Sequence, residues 1–215
     1  MACGFVRWEM RTTEVDRAQT FYEELLEQGA PDVTALPEPA IARGAIPHWL
    51  GHIGVEDKPA TEQAFVERGA TALGGGRCLR DPFGAMVALT TLTEPQRTDV
   101  IWQLHMSTSP KRARTDYAEL CGMRAGERLE LPGMGVFEQF TWGGGAVAGC
   151  LADIRDKPHI HPQWLYYFRV PDLERAIAYV NEHGGVVVGP MQLPDGRQVA
   201  ACDDPLGAAF GLMQP

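Results

Sequence analysis

The stretch Pro162-Gln163-Trp164-Leu165-Tyr166-Tyr167-Phe168-Arg169-Val170-Pro171-Asp172 decides how the chain is read, because residues 47–57 repeat its pattern without a gap. There Pro47-His48-Trp49-Leu50 answers Pro162-Gln163-Trp164-Leu165, and Val55-Glu56-Asp57 answers Val170-Pro171-Asp172. The offset of 115 residues holds as far as Gly69 and Gly184. Further on, Asp81-Pro82-Phe83-Gly84-Ala85 answers Asp204-Pro205-Leu206-Gly207-Ala208, now at an offset of 123. Upstream, Thr12 to Tyr22 corresponds to Ser107 to Tyr117, with Ala18 and Ala113 each four residues before the tyrosine. Self-similarity at a long fixed period marks a duplication. The halves meet near Arg97-Thr98, which divides the chain into 1–96 and 97–215, each of a size that suits a compact domain.

A weaker repeat sits inside each half. Four times a short apolar strand runs into a capping residue and an amphipathic helix: EMRTTEVDRAQTFY (9–22), HIGVEDKPATEQAF (52–65), HMSTSPKRARTDY (105–117) and YFRVPDLERAIAYV (167–180). In the first helix Thr13 is placed to cap, with Asp16 three positions on, and Val15, Ala18, Phe21, Tyr22 and Leu25 share one face. The third helix has Ser109 as cap and Pro110 at its first position. Gly69 and Gly184 stop the second and fourth. VVVGPMQL, RQVAACDD and AAFGLM then read as three strands separated by turns. The unit is β-α-β-β-β, and the class is α+β.

The first half is shorter in two places. Tyr22 to Trp49 is 27 residues against 47 from Tyr117 to Trp164, and Gly69 to Asp81 is 12 against 20 from Gly184 to Asp204. This predicts the loss of a hairpin after the first helix and of most of one strand after the second. It also leaves open whether the first half has a fourth strand in its first module.

Composition narrows the function classes. The formal net charge of −9 speaks against nucleic acid or an anionic membrane as the main partner. No apolar run approaches the roughly 20 residues needed to span a bilayer, and MACGFVRWEM has no signal-peptide core, so a cytoplasmic protein is expected. Five cysteines (Cys3, Cys78, Cys121, Cys150, Cys202) without a CxxC pair read as reduced thiols.

The order of these elements resembles the vicinal-oxygen-chelate superfamily of glyoxalases, extradiol dioxygenases and bleomycin-resistance proteins. The residues that carry the likeness are the strand–helix starts ending in Phe21-Tyr22, the WL-x(4)-V-x-D strand and the DPxGA turn. A tandem-domain, glyoxalase-like and bacterial branch is nearest. The resemblance implies paired βαβββ modules whose curved sheets hold a ligand on the concave side, with the first domain shortened. Metal-dependent members take ligands from the first, fourth, fifth and last strands. Those positions fall on Arg7, Leu50 and Ala88 in the first half and on Trp102, Leu165 and Gly211 in the second, whose fourth-strand position lies within Val147-Ala148-Gly149. These residues supply no usable His/Glu donor set, so no metal and no other cofactor is expected. Gly51-His52-Ile53 resembles a ligand strand, but the gapless repeat sets His52 opposite Tyr167, two residues past the ligand position.

Two sets of residues remain as candidates. Strand alternation puts Arg7, Glu9 and Arg11 on one face, with His52 expected nearby. A carboxylate between two cations stays ionised, and Glu9 and His52 are the candidate catalytic groups. Buried structural pairing is the competing explanation. The second half offers Trp102, Leu104, Met106, Leu165, Tyr167, Arg169 and Cys202, an apolar wall with one phenol and one guanidinium suited to a small aromatic ligand. Core filling is the alternative there. His159 and His161 form an HxH that lacks a third ligand, and Gly143-Gly144-Gly145 reads as a turn. Cys150 and Cys202 read as inert buried thiols.

The expectation is a monomer or homodimer that binds a small organic molecule in a concave cleft, more readily in the second half. Two alternatives stand beside it. One is a lyase, isomerase or dioxygenase-like enzyme using non-standard residues or a displaced metal. The other is a regulatory interaction module.

Overall fold

The computed structural model describes residues 4–27, 32–91, 98–131 and 134–215. Cys3 and the junction at residues 96–97 lie outside them. The first half runs β1 (Gly4–Thr12), α1 (Val15–Leu25), β2 (Asp32–Ala35), α2 (Glu38–Ile41), β3 (His48–Gly54), α3 (Lys58–Glu67), β4 (Thr71–Leu73), β5 (Cys78–Arg80) and β6 (Met86–Thr90). The second half begins with β7 (Val100–Ser107), α4 (Pro110–Cys121), β8 (Met123–Leu131), β9 (Gly135–Trp142) and β10 (Val147–Asp153). It continues with β11 (Gln163–Arg169), α5 (Leu173–Glu182), β12 (Val186–Gln192), β13 (Gln198–Asp203) and β14 (Ala209–Gln214). Two mixed sheets result, ordered β2-β1-β3-β6-β5-β4 and β12-β13-β14-β11-β7-β10-β9-β8. The second half holds two full βαβββ modules. No helix among the described residues is long and apolar enough to cross a membrane.

The shortening follows the loop lengths after α1 and departs from them after α3. Between α1 and β3 there is β2, parallel to β1 with Glu9 opposite Asp32, just as β10 runs parallel to β7 with Cys150 opposite Leu104. The fourth strand of the first module is therefore present, and among the described residues the hairpin that β8 and β9 form in the second half has no counterpart in the first. After α3 no strand is lost: β4 and β5 pair antiparallel but have three residues each, against seven and six in β12 and β13.

Helix ends follow local chemistry. α1 starts at Val15 with Glu14 as its cap residue and no side-chain cap bond, one residue later than Thr13 as cap predicts. Thr12 Oγ1 instead accepts from Glu14 N–H at 3.1 Å, and Ser107 Oγ accepts from Ser109 N–H at 2.9 Å in the other half. Asp57 and Asp172 cap α3 and α5 by accepting from Ala60 and Arg175 N–H. Gly69 and Gly184 take φ of +100° and +86° after these helices, a region that costs a side chain energy but glycine little.

Packing groups the modules across the halves. One compact unit comprises Met1–Arg7, Gly51–Gln96 and Gln103–Trp164, and the other Trp8–Leu50, Arg97–Trp102 and Leu165–Pro215. Each unit is pinned by the same buried bonds. In the second unit the Tyr22 hydroxyl donates to Asp204 Oδ2 at 2.9 Å and accepts from Trp49 Nε1 at 3.1 Å. Asp204 Oδ1 accepts from Leu206 and Ala208 N–H, closing the DPLGA turn. In the first unit Tyr117 donates to Asp81 Oδ2 at 3.1 Å, Trp164 Nε1 donates to Tyr117 at 3.0 Å, and Asp81 Oδ1 closes the DPFGA turn. Each tyrosine is fully buried and each aspartate 3% exposed. The first unit adds His105, whose Nε2 lies 3.1 Å from Asp81 Oδ2, at the position that Met10 holds in the other.

Two predictions come from this network. Tyr22→Phe leaves Trp49 Nε1 and one Asp204 oxygen without these bonds, and should cost about 1–3 kcal/mol. Tyr117→Phe should cost less, because His105 still holds Asp81 Oδ2; urea unfolding of the two variants checks the order. Burial first, and then the neighbouring Asp204 or Asp81 charge, holds the phenols of Tyr22 and Tyr117 well above the ordinary value of 10.0. A raised folded-state pKa contributes stability that is whole below the unfolded value and is lost as pH climbs past it. Unfolding should therefore set in above about pH 10. The phenolate absorbance of these two residues should appear together with loss of structure and not before it.

Candidate functional site

Strand alternation sets the faces. Trp49 and Trp164 meet Tyr22 and Tyr117 on the helices, so their neighbours His48, Leu50, His52 and Gln163, Leu165, Tyr167, Arg169 lie on the face turned away from the helices. His105 meets Tyr117, so Trp102, Leu104 and Met106 share that outer face, as do Arg7, Glu9 and Arg11 at the matching positions of β1.

The positions to which the resemblance assigns metal ligands are closed in the second half. Gly211 stands opposite Tyr167 in the β11–β14 register, and a Cβ at Gly211 would fall on the Tyr167 ring. The phenol thus fills the place from which a last-strand carboxylate would project. Gly149 stands opposite Gln103, and a Cβ there would fall on the Gln103 carbonyl oxygen. Leu165 is 2% exposed. Among the described residues no group of three or more His, Cys, Asp or Glu side chains is placed to hold a metal ion, so the donor set does not fit the superfamily's cation. His159 and His161 are exposed in the loop before β11, and Gly143-Gly144 forms the turn between β9 and β10.

The predicted aromatic wall of the second half is only partly brought together. In the second unit the Arg197 guanidinium lies 4.6 Å over the Trp102 ring. Asp195 holds it there at 2.7 Å, and Arg197 Nη1 lies 3.5 Å from Met213 Sδ. A stacking ligand meets arginine first on that ring face. Tyr167 is buried against Gly211, while Arg169 is exposed and its backbone N–H donates to Asp99 O. Leu104 and Met106 belong to the first unit. Cys202 faces the other way: it is paired with Phe210 and 4% exposed on the core side, with its thiol pushed up to about 12 by burial and the Asp203 charge. The four described cysteines are all buried.

The charged row of β1 divides as well. Arg7, like His52, packs in the first unit, where His52 is 9% exposed and lies opposite Ala88. Glu9 and Arg11 pack in the second unit and form an ion pair, Arg11 Nε and Nη2 lying 2.6 and 2.5 Å from Glu9 Oε1. Their side chains are 6% and 16% exposed. His48 on the adjacent β3 is a residue that motif reasoning passes over. Its Nδ1 lies 2.8 Å from Ile46 O, and its Nε2 is buried with no hydrogen-bond partner. Burial first, with the Arg11 charge adding to it, holds its pKa below the ordinary 6.5, against smaller upward pulls from the Ile46 bond and Glu9. The signal for it was a mismatch: histidine stands where the otherwise matching PQWL segment has Gln163.

Away from the sheet faces, a groove of about 280 Å³ lies in the second unit between the end of α1 and the start of α5, with Glu24, Asp172, Arg175 and Tyr179 in its walls. The Tyr179 hydroxyl lies 3.2 Å from both Glu24 Oε2 and the Phe21 carbonyl oxygen, which share its one proton.

No family model matches the chain. It is 24% identical to the protein named "Putative glyoxylase CFP32" of Mycobacterium bovis, and equally to that of Mycobacterium tuberculosis. Each match covers 99% of this chain and 95% of the relative. The alignment spans 253 positions, so the relative carries residues inside the matched region that this chain of 215 lacks. Among solved structures, the 2,3-dioxygenase LapB of Pseudomonas sp. KL28 matches at a TM-score of 0.58 and 14% identity, over 97% of this chain and 91% of that one. A variant of homoprotocatechuate 2,3-dioxygenase from Brevibacterium fuscum gives 0.62 at 12% identity, over 98% and 71%. A variant of 4-hydroxymandelate synthase from Streptomyces coelicolor gives 0.56 at 13% identity, over 99% and 92%. At such identities the likeness is one of fold. The chain has the vicinal-oxygen-chelate fold and, along nearly its whole length, is similar to a mycobacterial protein named as a glyoxylase.

Proposed function

We propose that this chain binds a small organic molecule on the outer face of its sheets without the superfamily's metal site. The observation that carries the reading is the Tyr167 ring over Gly211, where the last-strand ligand position has become a packing site. A fold of this kind with its donors replaced by Leu165, Leu50, Trp102 and Arg7 keeps a sheet wall and loses the Lewis acid that polarises a substrate. What is left is recognition by shape, stacking and a few directed polar groups. In the second half the Trp102 ring is already covered by Arg197, so aromatic stacking there requires that side chain to move. The first half offers charge in place of aromatic surface.

Elemental analysis of protein purified without added metal should find no stoichiometric divalent cation. Dialysis against a chelator should leave both the melting temperature and the small-molecule hits of a thermal-shift screen unchanged. Stoichiometric zinc, nickel, manganese or iron that the hits depend on would contradict the reading, and His52, His159 and His161 would then be the first residues to replace.

A further inference from the structure

The duplication supplies an internal control. At the positions of Glu9, Arg11 and His48 the second half carries Leu104, Met106 and Gln163 on the same strands and the same face. This fold therefore forms with apolar residues where the first half has an ion pair buried to 6% and 16% exposure. Buried ion pairs are commonly no more stabilising than well-packed apolar residues of similar volume. Stability does not explain why Glu9 and Arg11 are there.

The geometry around them has a direction. Glu9 is the more deeply buried partner, its Oε1 reached by both Nε and Nη2 of Arg11, so the charge nearer solvent is cationic. Thr34 stands opposite Arg11 in the β1–β2 register and adds a hydroxyl on the same face, and Asp32 stands opposite Glu9. On β3, the neighbour of β1 on its other side, a backbone carbonyl accepts from His48 Nδ1. A carbonyl only accepts, so the neutral ring carries its proton on Nδ1 and its lone pair on Nε2. That lone pair is buried and unpartnered in the structure, an arrangement with a cost unless a donor completes it.

We propose that Arg11 and His48 form a binding site for a small hydroxycarboxylate, with the ligand carboxylate on the Arg11 guanidinium and its hydroxyl donating to His48 Nε2. Glu9 is a positioning residue that holds the guanidinium. The proposal rests on reading the chain as a small-molecule binder and names the ligand class of that reading.

The test titrates glycolate, lactate and mandelate into the full chain, with histidine ring nitrogens observed by NMR and His48 assigned from its absence in His48→Gln. At least one acid should shift the His48 Nε2 resonance saturably. Affinity should fall at least about tenfold in His48→Gln and in the double variant Glu9→Leu/Arg11→Met, each of which installs the second half's own residues. The double variant should melt at or above the wild-type temperature. Acids that bind while leaving the His48 resonance and both variants' affinities unchanged would overturn the site but not the binder reading. Failure of all three acids alongside other small-molecule hits would do the same. A double variant that melts well below wild type would make the pair structural and overturn the proposal, and a chain that binds no small molecule would sink both.

Discussion

One buried hydrogen bond, made twice, carries the rest of the architecture. A tyrosine on the first helix of one half donates to the aspartate of the DPxGA turn of the other, while a tryptophan on the intervening strand donates to the tyrosine. The aspartate's second oxygen closes its own turn through two backbone N–H groups. In each copy four donors thus meet three acceptor oxygens inside an aromatic core, where an unmade bond costs more than a made one gains. Because the partners come from different halves, each compact unit needs residues from both copies of the duplication.

This arrangement explains what the two halves were free to change. The network occupies the helix side of the strands, and its residues match across the repeat. The outer side bears no such constraint, and there the halves have diverged in opposite directions. The second half packed its face: Tyr167 covers Gly211 and Arg197 covers Trp102. The first half, which among the described residues has no counterpart of the β8–β9 hairpin, keeps its strand order around β1 and carries Glu9, Arg11 and His48 on the corresponding face. A burial cost accepted in one copy and avoided in the other is an argument for function that a single-copy fold does not provide.

The sequence made the fold legible because the residues that pin it are the ones that repeat. Trp49 and Trp164, Tyr22 and Tyr117, and Asp81 and Asp204 stood out by spacing alone, and in the structure each tryptophan donates to a tyrosine that donates to an aspartate. Loop lengths were a poorer guide. The gap between Gly69 and Asp81 shortened two strands and removed none, because three-residue strands still pair within a 12-residue span. The site was less legible for a physical reason: side-chain cover comes from residues remote in sequence. Nothing near Trp102 announces Arg197, and nothing near Asp81 announces His105. Alternation did place Glu9 and Arg11 on one face, but it could not show that their row is divided from Arg7 and His52 by the way the chain packs.

The interlocking of the halves is open to a direct measurement. Residues 1–96 and 97–215 can be produced as separate polypeptides and their unfolding followed by circular dichroism, alone and mixed. In isolation 97–215 retains Asp204 but lacks Tyr22 and Trp49, and 1–96 retains Asp81 but lacks Tyr117 and Trp164. The account predicts that neither piece unfolds cooperatively as a monomer and that mixing restores a single cooperative transition. A monomeric 97–215 fragment that unfolds cooperatively by itself, with a stability close to that of the whole chain, would contradict it.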